Sequence, residues 1–177
     1  MKDCFYKLVN ERQSCREFND KALEEQTVMQ IVKTAMLAPS ACNSQPWKMH
    51  VVLDAQKRAQ VFEALNDRGH NKFLDKAKAF VVISEKQATL KESVGNKFDR
   101  NHFVKYDIGQ LCAYITLTAK SLGVESCIIG WINQDKLRSA VGYSQDEQSN
   151  IVVALGYSDI AIRKKARKTI EEIVEII

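Results

Sequence analysis

Two short runs limit what this chain can become: residues 79–84 (Ala-Phe-Val-Val-Ile-Ser) and residues 151–155 (Ile-Val-Val-Ala-Leu) are apolar at nearly every position. A strand turns successive side chains to opposite faces, so such runs need apolar cover on both sides. Residues 49–53 and 124–129 add two strand candidates. Helices are the available cover. In residues 24–37, Val28, Ile31, Val32, Ala35 and Met36 recur on one face, with Glu24 and Glu25 in the first turn and Pro39 ending the helix by disfavouring helical geometry at Ala38. In residues 107–122, Ile108, Leu111, Cys112, Ile115, Ala119 and Leu122 do the same, and Gly123 suits the stop. Shorter helices are predicted over 3–10, 55–66 and 134–141. Strands and helices mix without strict βα alternation, which predicts an α+β fold, a central sheet flanked by helices.

The 177 residues fit one domain, 1–177, with no Pro- or Gly-rich stretch to divide it. Twenty-six basic against 22 acidic side chains leave a net charge of +4, and much of the excess lies in residues 163–168. That is no nucleic-acid footprint. Five cysteines (Cys4, Cys15, Cys42, Cys112, Cys127) lack paired spacing and the three histidines are scattered, so neither a metal site nor a disulfide scaffold is expected. No run is long enough to span a bilayer and the first twenty residues are not a signal peptide, which makes a soluble protein of the reducing cytoplasm the expectation.

Three segments carry candidate chemistry. Arg12, Gln13, Ser14 and Arg16 share a polar loop between two helices. Guanidinium forks match phosphate oxygens in bidentate geometry, although arginines in a solvated loop are commoner than anion sites. Residues 38–47 run from the end of a helix through Pro39, Ser40, Ala41, Cys42, Asn43, Ser44 and Gln45 to Pro46 and Trp47. Short polar side chains on a proline-stiffened loop suit a polar heterocycle, and equally a turn-rich connection with Trp47 as a core anchor. Lys165 and Arg167 belong to a basic run that reads as solvated alone, and as a second wall of a phosphate site beside the first loop. Residues 85–105 are polar and poorly periodic. The last eight residues hold five apolar ones, to be buried on the same core or on a partner subunit.

The first two segments, with Phe18, resemble the N-terminal signatures of the FMN-dependent nitroreductase family. The resemblance continues through residues 122–130 and 153–157 to Lys165, Arg167 and residues 170–174, nearly the whole chain. It implies a mostly antiparallel sheet, an intertwined homodimer and FMN at the subunit interface. By position, Arg12, Gln13 and Ser14 would hold the ribityl phosphate end, completed by Lys165 and Arg167. Arg16 would stand beside the N1–C2 carbonyl edge of the ring, where a fixed cation stabilises the charge left by two-electron reduction. Pro39, Ser40, Ala41, Asn43 and Gln45 would reach the flavin from the other subunit. Cys127, Ile128, Ile129 and Gly130 would lie along the ring, and Lys72 is a candidate for a further contact. Cys15 and Cys42 would lie near the cofactor as incidental small residues, while Cys112 belongs to the core.

The implied activity is a ping-pong oxidoreductase taking hydride from NAD(P)H and reducing nitroaromatics, quinones or similar small acceptors. A reductive dehalogenase, a flavin-modifying enzyme, and a flavin sensor or store without turnover are the alternatives. The chain departs from the pattern at Gln13, where a basic residue or His is frequent, and at Ile129, where several members are acidic. It is short for the family and has no long helical insertion, which implies an open site.

Overall fold

The computed structural model describes residues 2–145 and 147–177. Four strands, β1 (Trp47–Val52), β2 (Ala79–Glu85), β3 (Glu125–Ile129) and β4 (Gln148–Gly156), form one sheet in the order β1-β2-β4-β3. Every neighbouring pair is antiparallel. The two strands expected to need cover on both faces, β2 and β4, are the two central ones.

The register explains their composition. Ala79, Val81 and Ile83 of β2 share one face with Val153 and Leu155 of β4; Phe80 and Val82 share the other with Val152 and Ala154. The first face packs on α2 (Glu25–Ala35), through Val28, Ile31 and Val32, and on α5 (Val104–Ser121), through Ile108, Leu111 and Ile115. The second packs on α3 (Ala55–Leu65) and α6 (Gln134–Val141), through Val61, Leu65 and Leu137. The result is helix, sheet and helix in three layers, the α+β arrangement expected. Full burial of a side chain such as Leu111 or Ile115 is worth about 1.5–3 kcal/mol each, so the central strands and α5 dominate the core.

Local signals set the boundaries. Asp54 accepts the Lys57 N–H at 2.9 Å at the start of α3, and Asn133 accepts that of Lys136 at 3.1 Å at the start of α6. Gly123, at φ 73°, turns the chain from α5 into β3. The largest extensions beyond the sequence-predicted ends are in α5, which begins at Val104, and in β4, which begins at Gln148, where polar residues precede the apolar run. A short helix, α4 (Glu92–Gly95), lies in the polar stretch 85–105.

The two ends of the chain stay outside these layers. Helix α1 (Lys2–Glu11) lies against α5 but buries no residue fully, leaving Phe5, Tyr6 and Val9 exposed. After β4 the chain runs without regular structure to a one-turn helix, α7 (Ile170–Ile173), whose cap pairs Thr169 with Glu172. Ile170, Ile173, Val174, Ile176 and Ile177 are all exposed. The apolar tail therefore does not pack on the core of its own chain.

Candidate functional site: a cation-lined cleft at the β3 edge

The loop after α1 extends the sheet. Ser14 bridges Ser126 in parallel, and the Cys15 N–H donates to the Ser126 carbonyl at 2.8 Å. This lays residues 12–16 along β3. The segment after β4 returns to the same edge. Its Arg163 donates from Nη2 to the Ser14 carbonyl at 2.6 Å, and from backbone N and Nε to Gln13 Oε1 at 3.0 and 3.3 Å. Lys165 Nζ donates to the Arg12 carbonyl.

Between the two segments lies a cleft of about 260 Å³ lined by Arg12, Gln13, Ser14, Arg16 and residues 163–167. Among the described residues no carboxylate pairs with any of its arginines or lysines. Burial, followed by the charges of Arg12, Arg167 and Arg163, draws the Lys165 pKa below its ordinary value. Cations held together without an acid raise each other's energy, and an anion between them removes that cost. A phosphomonoester suits this set, since guanidinium forks take its oxygens in pairs and Ser14 adds a hydroxyl.

Beside the cleft, β3 carries the next group of sequence candidates. Cys127 and Ile129 point into the core, Ile128 is 43% exposed and Gly130 follows at the open end of the strand. Burial pushes the Cys127 thiol up, against the pull of the nearby Arg16 and Arg163 guanidiniums. That thiol is therefore held protonated, and Arg16 is placed close to β3. Cys15 is wholly buried in the same core cluster. Cys112 lies in the other core, as expected, its pKa pushed up to about 12 by burial. Lys72 is exposed in the turn after α3, where Asn71 donates to the Trp131 carbonyl at 3.5 Å and so ties that turn to the loop following Gly130.

The second sequence segment sits elsewhere. Residues 39–45 form a tight loop with three non-glycine residues in the left-handed region: Cys42, Asn43 and Gln45 at φ 52°, 54° and 46°. Such residues cost of order 1–3 kcal/mol each and persist where surroundings fix them. Here Asp107 on α5, buried, accepts the Ala41 N–H on both carboxylate oxygens at 3.1 and 3.2 Å. Ser40 Oγ accepts the Gln45 N–H at 3.0 Å, and the Pro46 carbonyl accepts the Lys86 N–H at 3.0 Å. Pro39, Asn43 and Gln45 are exposed, so the loop presents polar groups outward. Trp47 packs half-buried on the core, as an anchor.

This loop feeds β1, at the opposite edge of the sheet from Ser14. Four strand-to-strand steps of about 4.8 Å separate them, roughly 19 Å across the sheet. One chain therefore brings Arg12, Gln13, Ser14, Arg16, Lys165 and Arg167 together beside Cys127 to Gly130, and does not bring Pro39, Ser40, Ala41, Asn43 and Gln45 to them.

The sequence profile of the nitroreductase family matches residues 9–157. The chain belongs to the nitroreductase family. Its relatives include an Archaeoglobus fulgidus protein described provisionally as an NADH dehydrogenase/NAD(P)H nitroreductase, 29% identical over 161 residues, covering 89% of this chain and 86% of the relative. An iodotyrosine deiodinase of Haliscomenobacter hydrossis is 24% identical over 177 residues, covering 86% and 78%. The fold is that of a nitroreductase family protein from Streptococcus pneumoniae, with a TM-score of 0.85, 20% identity and coverage of 98% and 100%. In this nitroreductase-family chain no helix among the described residues is long and apolar enough to cross a membrane. Arg163 is the site residue that sequence reasoning missed, because it opens a basic run indistinguishable from a solvated loop.

Proposed function

We propose that the protein is an FMN-dependent oxidoreductase working as a homodimer, its whole length a single flavin-binding domain. The observation that carries this reading is the cleft whose cations have, among the described residues, no acid paired with them. Arg12, Ser14, Lys165 and Arg167 would hold the phosphate. Cys127, Ile128, Ile129 and Gly130 would lie along the ring, with Arg16 at the edge where negative charge collects. When bound, FMN supplies the two-electron chemistry between an NAD(P)H donor and a nitroaromatic or quinone acceptor.

The residues around it orient and tune. Arg16 stabilises charge on the ring, and the protein needs no nucleophile of its own. Pro39, Ser40, Ala41, Asn43 and Gln45, remote from the cleft of their own chain, would complete the site of a second copy. Exposed Phe5, Tyr6 and Val9 and the apolar tail supply surface for that copy. Apolar side chains left exposed in such numbers mark surfaces of association.

Absorbance of the purified protein, anaerobic addition of NADH or NADPH, and gel filtration test the reading together. The expected result is a yellow protein at twice the 20.1 kDa chain mass, bleached by nicotinamide and recoloured by a nitroaromatic or quinone. A colourless protein that cannot be reconstituted with FMN overturns it. Similarity to iodotyrosine deiodinases favours a second reading, reductive dehalogenation. Halide release from a halogenated phenol, with no nitroaromatic turnover, would select it.

A further inference from the structure

We infer that Arg163 is a further phosphate-binding residue of the cleft and that Gln13 is its positioning partner rather than a ligand. The inference rests on the FMN reading above. Gln13 is 5% exposed and its amide is used within the chain: Oε1 accepts from Arg163 backbone N and Nε, and Nε2 donates to the Ala161 carbonyl at 3.4 Å. One side chain thus fixes both the path of residues 161–163 and the direction of the Arg163 guanidinium. That guanidinium also donates to the Ser14 carbonyl at 2.6 Å.

All of these partners are neutral. Arg163 is held in place by oxygens that leave its charge uncompensated; it lines the cleft with Arg12, Lys165 and Arg167, and its fork has further N–H groups that these bonds do not use. A guanidinium recruited only to staple two segments would be served by a carboxylate, and none lies within salt-bridge distance among the described residues. The charge that position 13 does not carry is delivered from the far end of the chain. It arrives pre-oriented, so little side-chain freedom is lost on binding.

The phosphate separates this role from a structural one, because riboflavin has the same ring and no phosphate. Affinities of FMN and riboflavin are to be measured by fluorescence quenching for the wild type, Arg163→Ala, Arg163→Lys, Gln13→Ala and the double variant. Loss of charge-assisted hydrogen bonds predicts FMN binding weakened roughly 10- to 100-fold in Arg163→Ala, with riboflavin unchanged. Arg163→Lys recovers part of the loss. Gln13→Ala shows a smaller loss of the same kind, and adds nothing in the Arg163→Ala background.

Equal weakening of both flavins in Arg163→Ala, or no weakening, overturns the assignment of Arg163. Additive losses in the double variant overturn the positioning role of Gln13. A wild type with no preference for FMN overturns the parent reading, and this one with it.

Discussion

The Phe18 ring fills the space that any side chain at position 156 would need. A β-carbon built on Gly156 would lie 2.8 Å from Phe18 Cδ1, and Phe18 is buried. Two of the sequence motifs, one ending at Phe18 and one running from Val153 to Tyr157, are thus halves of a single contact, closed by the Asn19 N–H on the Tyr157 carbonyl at 2.8 Å. The contact sets the course of residues 12–18 toward the cleft. Gly156→Ala is expected to cost about 1–3 kcal/mol by overpacking, lowering Tm by several degrees and weakening FMN retention. An unchanged Tm would show that the ring moves aside without penalty.

At the other end of β4 a polar cluster predicts acid sensitivity. Glu147, 6% exposed, accepts from Lys86 Nζ and from Ser84 Oγ at 2.7 Å, and those bonds hold its pKa down at about 2, from an ordinary 4.5. His50 Nε2 lies 3.0 Å from the same Ser84 oxygen, and burial draws its pKa below the ordinary 6.5. In both cases the unfolded chain binds protons before the folded one. Stability should therefore fall as pH drops through 6.5, and fall again between 4.5 and 2. Chemical denaturation across pH should show the upper step removed in His50→Gln. Glu147→Ala should remove the lower step and cost about 1–3 kcal/mol at pH 7 through the donors left unpaired. Slopes in both variants that match the wild type would rule the cluster out.

None of that cluster was legible in the sequence, and the reason is physical. The strands and α5 announce themselves through periodic apolar burial, which follows from residue type and spacing: Ile108, Leu111 and Ile115 have few other places to go. Ser84, Glu147 and His50 carry no period, and their meeting depends on the β1–β2–β4 register. The site divides in the same way. Arg12, Ser14, Lys165 and Arg167 could be picked out because their chemistry allows a phosphate site and the resemblance to the family's ordered motifs assigns them to one. Arg163 could not, because its use is decided by the Gln13 amide, 150 residues away. Nor does sequence alone reveal left-handed backbone at Cys42, Asn43 and Gln45, where no glycine marks the turn.

That turn yields a third prediction. Asp107 is a buried carboxylate with Ala41 as its backbone donor, and burial raises its pKa despite that bond. The substitution Asp107→Asn keeps an acceptor and sheds a costly charge, whereas Asp107→Ala leaves the Ala41 N–H unpaired. The alanine variant should speed hydrogen exchange at the Ala41 amide by about tenfold or more, and the asparagine variant should change it little. FMN affinity should follow the same order if the loop completes a partner's site. Equal exchange in all three proteins would show that the loop is fixed by Ser40 and Lys86 instead.

The tail offers the sharpest separation between fold and assembly. Ile170, Ile173, Val174, Ile176 and Ile177 are each more than half exposed and none belongs to either core cluster, so removing them should leave the three-layer core intact. In a dimer, the same residues would be covered by the second copy, each apolar side chain contributing about 1.5–3 kcal/mol if fully buried. Deleting residues 170–177 is therefore expected to preserve the circular-dichroism spectrum while shifting the protein from twice the 20.1 kDa chain mass toward that mass on gel filtration. FMN should be lost in parallel, although Arg12, Lys165 and Arg167 remain, because residues 39–45 of the second copy leave with it. A truncated chain that stays dimeric and yellow would place the dimer contact elsewhere, with α1 and its exposed Phe5, Tyr6 and Val9 the next face to test.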